Sequence, residues 1–75
     1  MNMMIGKLAK SAVLSVLAPG GMLSASQITA QARLTTWTAR RAIGHLSACG
    51  LIMASPYQAR YSITPRGLVT LSGMR

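Results

Sequence analysis

The chain has 75 residues, which is enough for one domain spanning residues 1–75 and too few for two. It carries 8 Lys and Arg residues, no Asp or Glu and a formal net charge of +8, so no carboxylate is available for acid–base chemistry or for holding Mg²⁺. The single Cys excludes an internal disulfide, and we predict a binding protein without a cofactor or a metal site rather than an enzyme.

A first helix is predicted from Ile5 to Ala18, where apolar residues recur at helical spacing. Its core stripe comprises Ile5, Leu8, Ala9, Ala12, Val13, Val16 and Leu17. Leu14 falls outside this stripe and is assigned to the surface, where it is a candidate for a contact between subunits. The breaker sequence Pro19-Gly20-Gly21 ends the helix.

The same N-terminal segment has a second interpretation. Lys7 and Lys10 precede a short apolar stretch at 12–18, which resembles the core of a signal peptide, and a cationic membrane-active peptide is the related alternative. The stretch is at the short end for a signal peptide, and no run approaches the ~18 apolar residues of a membrane span. The expectation is therefore a domain without a membrane partner.

A second helix is predicted from about Ala25 to Ala32. Met22-Leu23 is long enough only for a strand stub, and Ser24 and Gln27 then form the Ser-x-x-Gln pattern of a capping box. Ile28 is the expected core contact of this helix.

The third helix is predicted from Thr36 to about Cys49, with Thr35 as its N-cap and Gly50 as the left-handed residue that ends it. Helical spacing gives an inner stripe of Ala39, Ala42, Ile43 and Leu46. The outer stripe consists of Trp37, Arg40, Arg41, Gly44 and Ala48. The predicted helix therefore has one apolar face and one face that carries two arginines.

His45 and Cys49 lie four residues apart and share a face of this helix if it extends that far. A Cys–His nucleophile pair is one interpretation. The preferred interpretation is that Cys49 is a small buried apolar side chain.

A β-hairpin is predicted after the third helix. Residues 51–54 and 59–64 form its strands and 55–58 its turn, and alternation places Tyr61 and Ile63 on one face. Thr64-Pro65 then begins a final helix as N-cap and first helical residue, and the apolar side of that helix is formed by Leu68, Val69 and Leu71.

The predicted fold is mainly α with a small β-hairpin, in the order helix-helix-helix-strand-strand-helix. Such a helix-turn-helix (about 25–49) followed by a hairpin (about 51–64) is the pattern of a winged helix. The segments that carry a family resemblance are Leu23-Ser24-Ala25-Ser26-Gln27-Ile28, Leu34-Thr35-Thr36-Trp37-Thr38-Ala39-Arg40-Arg41-Ala42-Ile43, Leu46, Gly50-Leu51-Ile52 and Tyr61-Ser62-Ile63-Thr64-Pro65-Arg66-Gly67. Over roughly residues 22–71 the chain resembles the DNA-binding domain of the MarR and ArsR families of bacterial regulators.

The resemblance implies that the third helix enters the major groove of DNA and that the hairpin, or wing, contacts the flanking backbone or minor groove. The positions that it implies for DNA contact are Thr36, Trp37, Thr38, Arg40 and Arg41, with His45 at the margin and Tyr57, Gln58 and Arg60 in the wing. In these families the turn before the recognition helix usually carries Gly, and this chain has Arg33 there. If that residue is left-handed, it costs about 1 kcal/mol.

The net charge of +8 also favours nucleic acid as the partner, because a polyanion offsets the repulsion between the positive charges of the chain. We predict sequence-specific binding to double-stranded DNA by a small cytoplasmic, nucleoid-associated regulator of a bacterial or phage type. One recognition helix reads only a few base pairs, so a homodimer or a partner protein is expected. Leu14, Leu68 and Leu71 are the candidates for its interface. The alternative function is a protein-interaction module that presents Trp37 and a basic face to another protein.

Overall fold

The computed structural model describes the backbone of residues 2–74 and the side chains of residues 6–74. Its elements are α1 (Asn2–Leu17), β1 (Leu23–Ser24), α2 (Ala25–Ala32), α3 (Thr36–Ala48), β2 (Ile52–Ala54), β3 (Arg60–Ile63) and α4 (Pro65–Met74). The predicted fold class and element order are confirmed. The strand stub β1 adds to the predicted hairpin, which gives a three-stranded antiparallel sheet in the order β1-β3-β2.

The helix-turn-helix begins where its capping residues predict. Ser24 Oγ accepts from the backbone N of Gln27 at 3.2 Å, and the Gln27 side chain accepts from the backbone N of Ser24 at 2.9 Å, which completes the capping box. Thr35 Oγ1 accepts from the backbone N of Thr38 at 3.2 Å and caps α3. The first backbone N–H groups of a helix have no acceptor within the helix. In α2 and α3 the Ser24 and Thr35 side chains accept one of these hydrogen bonds each, which fixes where both helices begin.

The end of α3 is joined closely to the start of α4. Gly50 has a φ of 74°, and Leu51 N donates to Leu46 O at 2.9 Å, which closes α3. Thr64 Oγ1 has its hydrogen between Gly50 O at 2.8 Å and Leu51 O at 3.0 Å, and it accepts from Gly67 N at 3.0 Å, so the same hydroxyl caps α4. A Cβ on Gly67 would collide with the Leu51 carbonyl oxygen, so this position requires glycine.

The core lies between α1, the helix-turn-helix and the sheet. Its most buried apolar side chains are Ala9, Val13, Leu14, Leu17, Ile28, Ala39, Ala42, Ile43, Leu46, Ile52 and Leu71. The predicted core contact of α2 and the whole predicted inner stripe of α3 are confirmed. Tyr61 and Ile63 of β3 pack against this core while Arg60 is exposed, as the alternation predicts.

The predicted core stripe of α1 is confirmed at Ala9, Val13 and Leu17, which are buried, but the prediction was wrong for two leucines. Leu14 is fully buried and Leu8 is 66% exposed, which reverses their predicted places, while Ile5 lies outside the described side chains. The reason is that α1 packs against α2, α3 and α4 together. Its buried surface is therefore wider than one stripe and includes the side occupied by Leu14. Periodicity therefore identifies the inward face of this helix but not where the buried surface begins and ends around it.

Two further burial predictions need correction. Cys49 is exposed, because α3 ends at Ala48 and the chain turns away at Gly50 before the inner stripe can continue. In α4 only Leu71 of the predicted apolar side is buried. Leu68 is 45% exposed and Val69 73% exposed, because α4 turns Gly67 and Leu71, one helical turn apart, toward the rest of the domain.

Candidate nucleic-acid interface

The face of α3 opposite the core is open to solvent. Its exposed residues are Thr36, Trp37, Arg40, Arg41, Gly44, His45, Ser47 and Ala48. The predicted outer stripe is therefore confirmed in full, and Trp37 has 71% of its surface exposed. A tryptophan that exposes so much apolar surface on a small domain suggests a contact surface.

One side of this face looks toward α2. Thr36 and Arg40, one turn apart, line a cleft of about 360 Å³ together with Arg33 from the turn and Ser26 and Thr29 from α2. The lining combines two guanidinium groups with three hydroxyl groups. The two guanidinium groups and the hydroxyls of Ser26 and Thr36 are able to donate hydrogen bonds to an oxyanion, whereas the Thr29 hydroxyl already donates to Ala25 O at 2.7 Å.

The other side of the face looks toward α1. Trp37, Arg41 and His45 follow one another at helical spacing and line a larger cleft of about 780 Å³, which Lys7 and Lys10 border from α1. Arg40 and Arg41 are neighbours in sequence, yet they line different clefts at the two margins of the exposed face of α3. The predicted outer stripe therefore consists of two rows. Thr36 and Arg40 lie beside Arg33, and Trp37, Arg41 and His45 lie beside Lys7 and Lys10.

The charges on this surface have no acidic partner in the chain, because the sequence contains neither Asp nor Glu. Among the arginines of the described part, Arg66 donates to the Cys49 carbonyl oxygen at 3.4 Å, at the C-terminal end of α3. That contact suits the negative end of the helix dipole. The guanidinium groups of Arg33, Arg40 and Arg41 lie nearer the other end, which leaves them available to an external anion.

The wing is short and its tip is exposed. Ser55 N donates to Arg60 O at 2.9 Å and closes the loop between β2 and β3. Tyr57 is 92% exposed, and Gln58 and Arg60 are exposed as well. The three wing residues expected from the resemblance are therefore all accessible to a partner.

Thr38 differs from the other candidate residues. It is half-buried, and its Oγ1 accepts a hydrogen bond from Thr35 Oγ1 at 2.8 Å. Its hydroxyl thus already takes part in the cap of α3.

Three basic residues that line the two clefts were not selected from the sequence: Arg33, Lys7 and Lys10. The signal that could have identified them is their positive charge, because nucleic-acid interfaces collect Lys and Arg.

The described residues form neither a Cys–His pair nor a metal site. His45 lines the cleft beside Trp37, whereas Cys49 lies one turn further on, outside it. Between residues 2 and 74, no three potential metal-ligating side chains come together. No helix within the same range combines the length and apolar character needed to cross a membrane.

Comparison with solved structures decides the fold. The chain superposes on a MarR family transcriptional regulator from Silicibacter pomeroyi DSS with a TM-score of 0.81 and 23% sequence identity, over 89% of this chain. It is a winged helix-turn-helix domain. The match spans 47% of the regulator, so this winged helix corresponds to about half the length of that protein. No protein-family model matches the sequence, and no curated protein is significantly similar to it.

Proposed function

We propose that this winged helix binds double-stranded DNA sequence-specifically and acts as a small transcriptional regulator, without enzymatic activity, in the compartment that holds the DNA. The observation that carries the proposal is the exposed face of α3, which presents Arg40 and Arg41 in a chain that contains no Asp or Glu. The similarity of fold to a solved transcriptional regulator supports it. In this proposal α3 lies in the major groove and the wing lies against the flanking backbone.

Each row of α3 has a role in the proposal. Arg40 and Arg41 each donate two hydrogen bonds to O6 and N7 of a guanine, which discriminates by about 1–3 kcal/mol against another base. Thr36 contacts a phosphate at the start of the helix, and Trp37 packs on the sugar or on a thymine methyl group. His45 contacts the margin of the site, and Thr38 supports the cap. Because these two arginines lie at opposite margins of the exposed face of α3, they are expected to read different base pairs.

The wing completes the interface. Tyr57, Gln58 and Arg60 lie at or beside the exposed hairpin tip, where they are free to contact the backbone or the minor groove. Arg60 supplies the positive charge of the wing. Its removal is expected to weaken binding equally on all sequences, because a phosphate carries no base identity.

The experiment that tests the proposal is a titration of fluorescent duplex DNA with the protein at several salt concentrations. If four to six basic groups reach phosphates, log K falls against log salt with a slope of about −4 to −5. A selected duplex must then bind more tightly than its scrambled version at the same salt. Binding without a salt slope would contradict the proposed phosphate contacts, and equal binding to both duplexes would contradict sequence-specific recognition.

We further propose that the domain acts as a dimer on two half-sites. Leu14 and Leu71 are buried and are no longer candidates for the interface, whereas Leu8, Leu68 and Val69 are exposed. Leu68 therefore remains a candidate, and Leu8 and Val69 replace the two buried residues in the proposal. Light scattering of the free protein and of its DNA complex measures the stoichiometry, and a single copy of the chain on its preferred duplex would exclude this arrangement.

The alternative function is an interaction module that presents Trp37 to another protein, and the observation in its favour is the exposed indole beside the 780 Å³ cleft. The two functions respond differently to Trp37→Ala. If Trp37 serves DNA, the substitution weakens binding to duplex DNA. If it serves a protein partner alone, DNA affinity and its salt slope stay at the wild-type values.

A further inference from the structure

The turn between α2 and α3 has an unusual residue at its left-handed position. Arg33 N donates to Ala30 O at 3.3 Å and Leu34 N donates to Thr29 O at 3.1 Å, with Arg33 at φ 56° and ψ 42°. The end of α3 has the same pair of hydrogen bonds, and there Gly50 occupies the corresponding position. The two helices thus end in one backbone motif with different residues at its centre.

Glycine is the favoured residue in this motif, because a Cβ in the left-handed region approaches the following carbonyl oxygen. Within residues 2–74, Arg33 is the one non-glycine residue with a positive φ. The hydrogen bonds of the turn come from the backbone and would form equally well with glycine. The backbone therefore gives no reason for an arginine at this position.

The environment of the Arg33 side chain does give a reason. Arg33 is exposed and lines the same cleft as Arg40 and Thr36, at the edge of the face proposed to contact DNA. The sequence offers no carboxylate to either guanidinium group. Two positive charges in one small cleft repel each other unless an anion lies between or beside them.

We propose that Arg33 binds a phosphate of the DNA backbone beside the base pairs read by Arg40, and that the chain retains an unfavourable backbone conformation for this contact. The inference rests on the proposed function and adds a phosphodiester site at the turn. Backbone strain that persists where no internal contact requires it is a known property of binding sites. Arg33 fixes the position of α3 along the groove, while Arg40 reads a base.

The test is Arg33→Gly, because stability and affinity should change in opposite directions. Removing the Cβ relieves the left-handed strain, so the Tm rises by several degrees. Removing the guanidinium weakens binding several-fold on selected and scrambled duplexes alike, and the slope of log K against log salt becomes shallower by about one. Thermal unfolding followed by circular dichroism and the duplex titration provide the two readouts.

Two companion variants separate charge from conformation. Arg33→Asn also removes the charge and tolerates the left-handed region, so it should repeat the loss of affinity. Arg33→Lys keeps the charge, so it should keep the wild-type salt slope. Arg66→Gln removes one charge at the far end of α3, and its salt slope should not change. An equal loss of slope in this control would mean that net charge alone acts, which overturns the inference.

Failure of the inference is distinguishable from failure of the proposed function when Arg40→Ala is measured in parallel. Wild-type affinity in Arg33→Gly together with a loss in Arg40→Ala overturns the phosphate site alone. A lower Tm in Arg33→Gly overturns the claim that the turn is strained. Absence of duplex binding by the wild-type protein overturns both proposals.

Discussion

The two faces of α3 differ in composition and in the roles that this difference allows. The inner face consists of Ala39, Ala42, Ile43 and Leu46, each with 5% or less of its surface exposed. The outer face carries Trp37, Arg40 and Arg41, which are all exposed. One helix therefore supports the fold on one side and presents charge on the other. It follows that substitutions on the inner face should change stability, and substitutions on the outer face should change affinity.

The largest expected effect is on the inner face. Ile43→Ala should lower the free energy of unfolding by about 2–5 kcal/mol, because it leaves a cavity between α3 and its neighbours. Urea unfolding measures the change, and Met53→Ala, at a side chain that is 57% exposed, is the matched control. The control should stay within about 0.5 kcal/mol of the wild type. An equally small effect for Ile43→Ala would mean that the inner face does not support the fold.

The second effect compares two glycines of α4. Gly67→Ala should destabilise the domain by about 1–3 kcal/mol, because the new methyl group meets the Leu51 carbonyl oxygen and lies 2.7 Å from Ile63 Cγ1. A Cβ on Gly73 meets nothing within 4 Å, so Gly73→Ala in the same helix should not destabilise it. Thermal unfolding of the pair separates packing from helix propensity. Similar melting temperatures would contradict the close junction between α3 and α4.

The third effect is on the outer face. Arg40→Ala and Arg41→Ala should each weaken binding to a selected duplex by about 1–3 kcal/mol if they read bases. Neither should lower the Tm, because no acidic partner is left behind and like-charge repulsion is reduced. The scrambled duplex is the control, since loss of a base contact should reduce the preference between the two duplexes. Equal losses on both would assign the arginines to phosphates instead.

The smallest effect concerns Gly44, an exposed glycine within α3. A Cβ there meets nothing within 4 Å, so Gly44→Ala should raise stability by about 0.5–1 kcal/mol through helix propensity. If the backbone of α3 lies close to DNA, the added methyl group should also weaken binding. A duplex titration beside thermal unfolding tests this. Unchanged affinity would place Gly44 away from the DNA surface.

Where the sequence carries local signals, it predicts this fold well. Ser24 and Gln27, Thr35 and Gly50 identify the ends of α2 and α3, because their effects involve only residues a few positions away. The buried and exposed faces of α3 are predicted from its sequence, because its apolar residues recur every three or four positions and polar residues lie between them. The wrong predictions for Leu14 and Cys49 have a different origin. Their burial depends on how several elements pack together and on where α3 ends, and neither is a local property.

The candidate site is predictable in part for the same reason. Helical period places Trp37, Arg40 and Arg41 on one open surface. It does not show that Arg40 and Arg41 belong to different clefts, or that Arg33 joins one of them. Those groupings depend on the positions of α1 and α2 beside α3, which arise only from the tertiary packing.

The central claim is that the outer face of α3 binds duplex DNA, and an NMR titration of the labelled protein with duplex DNA tests it most directly. Trp37 is the single tryptophan, so its indole N–H gives one assigned signal on that face. We expect the largest shifts at Trp37, at the exposed amides of α3 and at the wing tip, and little change at the amide of Gly20, which is exposed between α1 and β1. Shifts concentrated at Gly20 with an unchanged Trp37 signal would contradict this account of the domain.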